Sequence, residues 1–170
     1  MYGAPLPLSA DDDARAKRYG EVRAAIEALL DGEDDWVSAM ATVACELHQA
    51  FDYFDWTGFY RHVTPGELRV GPYQGGHGCL RIAFDRGVCG AAARTRETQR
   101  VDDVDAFPGH IACATSTRSE LVVPLVTPSG ALLAVLDIDS NAPAAFRAVD
   151  ARHLEDLCGM LGERFESSAF

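Results

Sequence analysis

Three cysteines lie in or beside glycine-containing segments, where a thiol is more often functional than in a core. Cys79 ends "GGHGC", Cys89 stands in "RGVCGAA" and Cys113 ends "PGHIAC". Cys89 falls in the first turn of a predicted short helix, where the helix dipole favours a thiolate. His110 and Arg118 flank Cys113 and are candidates to lower the pKa of its thiol. The pattern indicates thiol chemistry, either nucleophilic or redox.

The remaining thiols favour a structural role. Cys158 lies on the apolar face of the last predicted helix and Cys45 lies near that of the second, as free core cysteines often do. Five cysteines at irregular spacing do not suit a structural disulfide framework. The strings "HGC" and "HIAC" each bring a histidine close to a cysteine, so zinc is an alternative, although neither spacing matches a standard zinc module.

Two aromatic residues flank a glycine on one face of a predicted strand. Strand periodicity places Trp56, Gly58 and Tyr60 on the same side, so the glycine leaves a space between two rings. The arrangement predicts half of a slot for a small ligand. The alternative is that both aromatics belong to the core, the commoner fate of strand aromatics.

Acidic residues follow an apolar row on a later strand, "ALLAVLDIDSN". Alternation predicts Asp137 and Asp139 on the face of Leu133 and Val135, and the opposite face carries Leu132, Leu136 and Ile138. Glu120 begins the strand that pairs with this one through "TPSG". Three acids near two aromatics predict a pocket for a small cationic or zwitterionic ligand. Alternatively, the aspartates start the turn "DSNAP".

The overall charge argues against two classes of partner. Fifteen Lys and Arg against twenty-six Asp and Glu give a net charge of −11. Such a charge repels nucleic acid and anionic lipid surfaces. No apolar run approaches the length of a membrane span, and the first residues carry no signal-peptide pattern. We therefore expect a cytoplasmic protein.

The elements that must position these residues follow from periodicity. Apolar residues at three-and-four spacing predict two N-terminal helices, residues 11–30 and about 36–51, the second capped by Asp34 or Asp35. Period-two segments around "TPG" and "TPSG" predict two hairpins, with a short helix at residues 86–97 between them. A helix over 147–165 closes the chain. Helices at both ends of antiparallel hairpins predict an α+β fold with helices on one face.

Several strings together resemble the free methionine-(R)-sulfoxide reductase family, small enzymes with a GAF fold. The resemblance is dense from Trp56 to Phe146 and is carried by "WTGFY", "GPYQGGHGCLRI", "RGVCGAAA", "VDDVDAFPGHIAC", "SELVVPL" and "AVLDIDS". It implies a six-stranded antiparallel sheet with the N- and C-terminal helices packed on one face, formed by a single domain over residues 11–170. Residues 1–10 are then expected to be a flexible extension.

The resemblance also implies an activity and roles for the site residues. Cys113 would attack the sulfur of free methionine-(R)-sulfoxide and Glu120 would donate a proton. Cys79 would resolve the resulting sulfenic acid as a disulfide, with Cys89 as the alternative in either role. The substrate would be bound by Trp56, Tyr60, Glu120, Asp137 and Asp139.

Several partners and one alternative function complete the expectation. The family implies thioredoxin or a similar dithiol reductant, a homodimer, and no metal or organic cofactor. The alternative is a GAF module that binds a ligand or senses oxidants without turnover, because a fold alone does not fix function.

Overall fold

A computed structural model of the chain describes residues 3–109 and 115–168. In these ranges one antiparallel sheet has the spatial order β3-β2-β1-β6-β5-β4. Its strands are β1 (Trp56–Thr64), β2 (Glu67–Gln74), β3 (Arg81–Ala83), β4 (Gln99–Val101), β5 (Ser119–Val126) and β6 (Leu132–Ser140). The helices are α1 (Asp12–Leu29), α2 (Trp36–Ala50), α3 (Gly87–Thr95) and α4 (Ala148–Arg164), with short 3-10 turns at Val104–Ala106 and Glu166–Ser168. The predicted α+β fold and both predicted hairpins are confirmed.

The starts of the first two helices are fixed by aspartate caps. The Asp11 carboxylate accepts a hydrogen bond from the Ala14 amide, and that of Asp35 accepts one from the Ser38 amide. These bonds satisfy amide groups that lack a partner within the helix. Of the two predicted caps for α2, Asp35 is confirmed.

Three helices pack on one face of the sheet and α3 packs on the other. The larger apolar cluster joins α1, α2 and α4 to the sheet, and the smaller one joins α3 to β1, β2, β3, β5 and β6. The predicted placement of the terminal helices on one face is thus confirmed. Leu29 is apolar but 57% exposed, because the buried row of α1 follows the four-residue spacing of Val22, Ile26 and Leu30.

The predicted facing of Leu132 and Leu133 on β6 is wrong. Leu132 lies in the smaller cluster with Val135, whereas Leu133 packs in the larger cluster on the helical face. The β5–β6 register shifts between Leu125 and Val126. An extra residue at such an irregularity reverses the alternation beyond it, so the error is confined to the start of the strand.

Part of the segment predicted to be a flexible extension contacts the domain. The Leu6 amide donates to the Ala50 carbonyl at 2.8 Å, and the Asp52 amide donates to the Leu6 carbonyl at 3.0 Å. Leu8 packs against the larger cluster. Flexibility of residues 1–10 stays a prediction. No helix in the described ranges is both long enough and apolar enough to cross a bilayer.

Candidate active site

Aromatic rings form a wall on the face of the sheet that carries α3. The Trp56 ring stacks on Tyr60 with 5.6 Å between centroids, and on Tyr73 with 5.2 Å. A Cβ at Gly58 would lie 2.7 Å from the Trp56 ring, so only glycine at this position leaves room for the ring. The Trp56 indole donates to the Gly76 carbonyl at 3.1 Å. Trp56 and Tyr60 are buried in the smaller cluster, as the core alternative predicted, and a slot for a ligand beside them stays a prediction.

Strand register brings the three acids together beside this wall. Glu120 on β5 lies directly opposite Asp139 on β6. On the other side of β6, Asp137 lies opposite Gly58 and Asp139 lies opposite Trp56. Directly opposed residues of antiparallel strands have Cβ atoms about 5 Å apart. The predicted grouping of acids and aromatics is therefore what the fold produces.

Burial and mutual repulsion favour the protonated forms of these acids. The pKa of Glu120 lies well above its ordinary value, first because the group is buried and then because Asp137 and Asp139 carry negative charge nearby. Burial raises the pKa of Asp137 to about 6. Burial also raises the pKa of Asp139, with Asp137 and Asp55 adding to the effect. Close carboxyl groups in a buried site cannot all ionise, so this cluster can hold and donate a proton near neutral pH.

Cys89 projects from α3 into the acidic cluster. Its thiol donates to Glu120, with 3.9 Å between Sγ and Oε1. The predicted thiolate at this helix start is wrong, because burial raises the Cys89 pKa well above its ordinary value and the charges of Asp137 and Glu120 raise it further. The favourable interaction with a helix start is smaller than the cost of burying a charge beside other anions.

Cys158 and Cys45 lie in or near the core, as predicted for cysteines with a structural role. Cys158 is 1% exposed in the larger cluster, and burial raises the pKa of its thiol. Cys45 is half-buried, and its sulfur accepts a hydrogen bond from Gln49 at 2.8 Å. Cys79 is disulfide-bonded. Cys113 and its predicted neighbour His110 lie outside the described residues.

An open pocket of about 480 Å³ adjoins the aromatic wall and the acidic cluster. Its lining includes Trp56 and Asp139 from the prediction and also His77, for which the sequence suggested only zinc. Sequence reasoning missed Asp55 and Asn141 here. The backbone N–H of Asn141 donates to the Asp55 carboxylate at 2.7 Å, which fixes the loop after β6 to the start of β1. The position of Asp55 directly before the aromatic strand was the available signal.

Comparison with known proteins first places the chain in a class of domains and then relates it to a particular family of enzymes. The GAF domain model matches residues 31–163, so the chain belongs to the GAF domain family. The free methionine-R-sulfoxide reductase of Saccharomyces cerevisiae is 40% identical over 143 residues, covering 81% of this chain and 79% of the yeast protein. The Escherichia coli protein of that name is 36% identical, covering 84% and 86%.

A solved structure shows the same relationship. The free methionine-R-sulfoxide reductase of Neisseria meningitidis, in complex with its substrate, matches with a TM-score of 0.86 and 44% identity over 99% of this chain and 98% of that one. Within the GAF class, the chain belongs to the free methionine-(R)-sulfoxide reductase family. The predicted resemblance is confirmed.

Proposed function

We propose that this protein reduces free methionine-(R)-sulfoxide to methionine, a repair reaction under oxidative stress. The observation that carries the proposal is the acidic cluster of buried Glu120 and Asp137 with half-buried Asp139, beside the wall of Trp56 and Tyr60. Carboxylates and aromatic faces suit an ammonium group, and the rings also suit a methyl-sulfoxide end. The family relationship supports the same substrate.

The reaction begins with attack of the Cys113 thiol on the sulfoxide sulfur. The sulfur–oxygen bond of the substrate breaks and a sulfur–oxygen bond to Cys113 forms, so that methionine leaves and Cys113 becomes a sulfenic acid. The sulfoxide is thereby reduced by two electrons and the thiol is oxidised by two. Glu120 donates the proton that the oxygen needs. Its raised pKa supports this role, because a general acid must still be protonated near the working pH.

Cys79 then condenses with the sulfenic acid, forming a disulfide and releasing water. The disulfide-bonded state of Cys79 supports it as the resolving thiol. The raised pKa of Cys89 argues against Cys89 as the resolving thiol, because the thiolate is the attacking species in such an exchange. Thioredoxin or a similar dithiol would reduce the disulfide and complete the cycle. No metal or organic cofactor takes part.

Methionine release from the separate R and S sulfoxides of free methionine, with dithiothreitol as reductant, tests the activity. We expect release from the R form by the wild type and none from Cys113→Ser. Cys45→Ser is the matched control and should retain the rate, because Cys45 lies on α2, away from the pocket. No release from either sulfoxide would contradict the proposal and favour a ligand-binding or redox-sensing GAF module.

The resolving step is tested with thioredoxin. Cys79→Ser should release about one methionine per chain and then stop, whereas Cys89→Ser should continue to cycle. Full cycling of Cys79→Ser would transfer the resolving role to Cys89.

A homodimer and a cytoplasmic location complete the proposal. Sedimentation equilibrium tests the first and fractionation of the source cells tests the second.

A further inference from the structure

Three side chains in the acidic cluster offer ligands of the kinds that bind zinc. One ligand atom from each of Cys89, Glu120 and Asp137 lies within 4.8 Å of the other two. The three residues are 3%, 6% and 5% exposed. We propose that this triad, Cys89–Glu120–Asp137, binds one zinc ion and that zinc bound there competes with the sulfoxide.

The spacing of the triad is close to that of a tetrahedral zinc site. Zinc–sulfur bonds of about 2.3 Å and zinc–oxygen bonds of about 2.0–2.2 Å give tetrahedral edges of roughly 3.5 Å. The distance from Cys89 Sγ to Glu120 Oε1 is 3.9 Å. The ligands come from α3, β5 and β6, and Asp137 lies directly opposite Val122 in the paired strands. The three ligand atoms lie within 4.8 Å of one another, so side-chain adjustments on the order of 1 Å would bring them to these edges.

A second observation points to a missing ligand at the same place. Within the described part of the chain, Oδ1 of Asp137 is buried and has no hydrogen-bond partner. A buried carboxylate oxygen without a partner is costly, and such groups in native structures call for an ion or a water. Zinc binding would displace the protons that burial keeps on these groups, and the divalent cation would largely neutralise the thiolate and the two carboxylates so formed. Asp139 adds a further acid beside them.

The ligand chemistry selects zinc over the common hard cations. Magnesium and calcium take oxygen ligands and discriminate against thiolate. Zinc accepts sulfur and oxygen together, and three protein ligands leave a fourth position for water. The zinc site considered from the sequence used the strings "HGC" and "HIAC", and neither contains a residue of this triad.

Zinc in the triad would compete with the sulfoxide. Glu120 and Asp137 are two of the residues proposed to hold the substrate, so they cannot serve metal and substrate at once. This inhibition rests on the proposed function, whereas the binding of metal to the triad does not.

The binding is tested with cadmium, a zinc substitute whose bond to a thiolate absorbs in the ultraviolet. The full chain is reduced with a phosphine, treated with a chelator, desalted and titrated with cadmium. We expect one cadmium per chain with a thiolate-to-metal band, and displacement of cadmium by zinc. Absence of the band in the wild type would overturn the proposal.

Variants assign the thiolate. Cys89→Ser should remove the band and weaken cadmium binding by about 100-fold or more, since even outer-shell changes cost 10- to 100-fold. Cys158→Ser and Cys79→Ser should keep the band. Its loss in Cys79→Ser, or its survival in Cys89→Ser, would place the metal elsewhere and overturn the proposal. If Cys89→Ser fails to fold, Asp137→Asn serves instead and should keep the band with at least about tenfold weaker affinity.

Inhibition is measured separately from binding. Micromolar zinc should raise the apparent KM for methionine-(R)-sulfoxide without changing kcat, and a chelator should reverse the effect. Unchanged KM despite cadmium bound through Cys89 would overturn the competition with the substrate. If the protein reduces no sulfoxide at all, the cadmium band alone decides the metal site, so the two failures are distinguishable.

Discussion

At the scale of single residues, the site consists of ionisable groups whose burial disfavours their charged forms. Glu120 and Asp137 lie in a dry environment that disfavours their anions, and each raises the cost of ionising its neighbours. Cys89 shares that environment and stays a thiol for the same reason. Groups with perturbed pKa values are common at functional sites, and replacing buried charged groups by apolar side chains of similar volume is often neutral or stabilising. Substituting these groups should therefore lower the activity without lowering the stability of the fold.

Glu120→Gln tests the proton donor at constant side-chain size. We expect kcat to fall by about 10²–10⁴-fold with the fold retained, because glutamine cannot release a proton. The wild-type rate should fall as pH rises through the raised pKa of Glu120, and the variant should lack this dependence. Glu97→Gln, at an exposed position, is the control. A wild-type rate in Glu120→Gln would contradict the role.

Asp137→Asn should stabilise the protein at high pH. The pKa of Asp137 in the folded protein is raised to about 6 from 3.8. The stabilisation that its protonated carboxyl group gives the folded state is therefore fully present below pH 3.8 and is lost as pH rises through 6. At pH 8 its ionisation costs on the order of 3 kcal/mol, an upper limit that asparagine avoids. Urea unfolding should show a gain at pH 8 that shrinks toward pH 4. An equal change at both pH values, or a gain from Asp31→Asn, would refute this cause.

At the scale of elements, α3 positions Cys89 through close contact with the end of β3. A Cβ at Gly90 would lie 2.5 Å from the Ala83 carbonyl oxygen and 3.0 Å from that of Phe84. Only glycine therefore allows the helix to approach this closely. The neighbouring Cys89 then reaches the acidic cluster on β5 and β6.

Gly90→Ala should destabilise the fold even though alanine favours helices. Displacing α3 costs about 1–3 kcal/mol, which outweighs the ~1 kcal/mol gain in helix propensity. Gly159 on α4 is the matched control, since a Cβ there meets nothing within 4 Å. Gly159→Ala should gain up to ~1 kcal/mol. Chemical denaturation measures both, and similar changes in the two variants would contradict the steric argument.

Sequence reasoning worked where one local pattern determines the outcome. Helical spacing predicted α1 and α2, and alternation predicted the shared face of Trp56 and Tyr60. It failed at Leu132 and Leu133, where a register shift depends on the partner strand. It also failed for the protonation of Cys89, because the dipole of the helix start is local whereas Glu120 and Asp137 reach the thiol only through tertiary packing. The role of Asp55 in the pocket likewise depends on a contact with Asn141, far along the chain.

At the scale of the whole molecule, the first and last helices are joined on the helical face. Arg15 of α1 and Asp150 of α4 form an ion pair of 2.6 Å, and both side chains are fully buried. The Asp150 carboxylate also accepts hydrogen bonds from the hydroxyl groups of Tyr19 and Tyr53, at 2.9 Å and 3.1 Å. The helices that support the sheet behind the pocket are thereby fixed to one another.

Leu6 and Leu8 extend this arrangement towards the N-terminus. The Leu8 amide donates to the Asp52 carboxylate at 2.9 Å, and the Leu8 carbonyl accepts from Arg15 at 2.8 Å. We expect the Leu6 and Leu8 amides to exchange with solvent more slowly than the Gly3 amide, because hydrogen bonding protects them. Hydrogen exchange measured by NMR tests this. Unprotected exchange at Leu6 and Leu8 would instead support a flexible extension over residues 1–10.

The buried ion pair should be costly to break from either side. Asp150→Asn and Arg15→Met each leave one buried charge unpaired, which costs about 3–5 kcal/mol. The double variant leaves neither charge, so its loss should be smaller than the sum of the single losses by about 0.5–3 kcal/mol. Arg23→Ala, which breaks an exposed pair with Glu27, should change stability by less than about 0.5 kcal/mol. Urea unfolding of the four variants and the wild type completes the cycle. Additive losses would mean that Asp150 stabilises the fold through its tyrosine hydrogen bonds and not through Arg15.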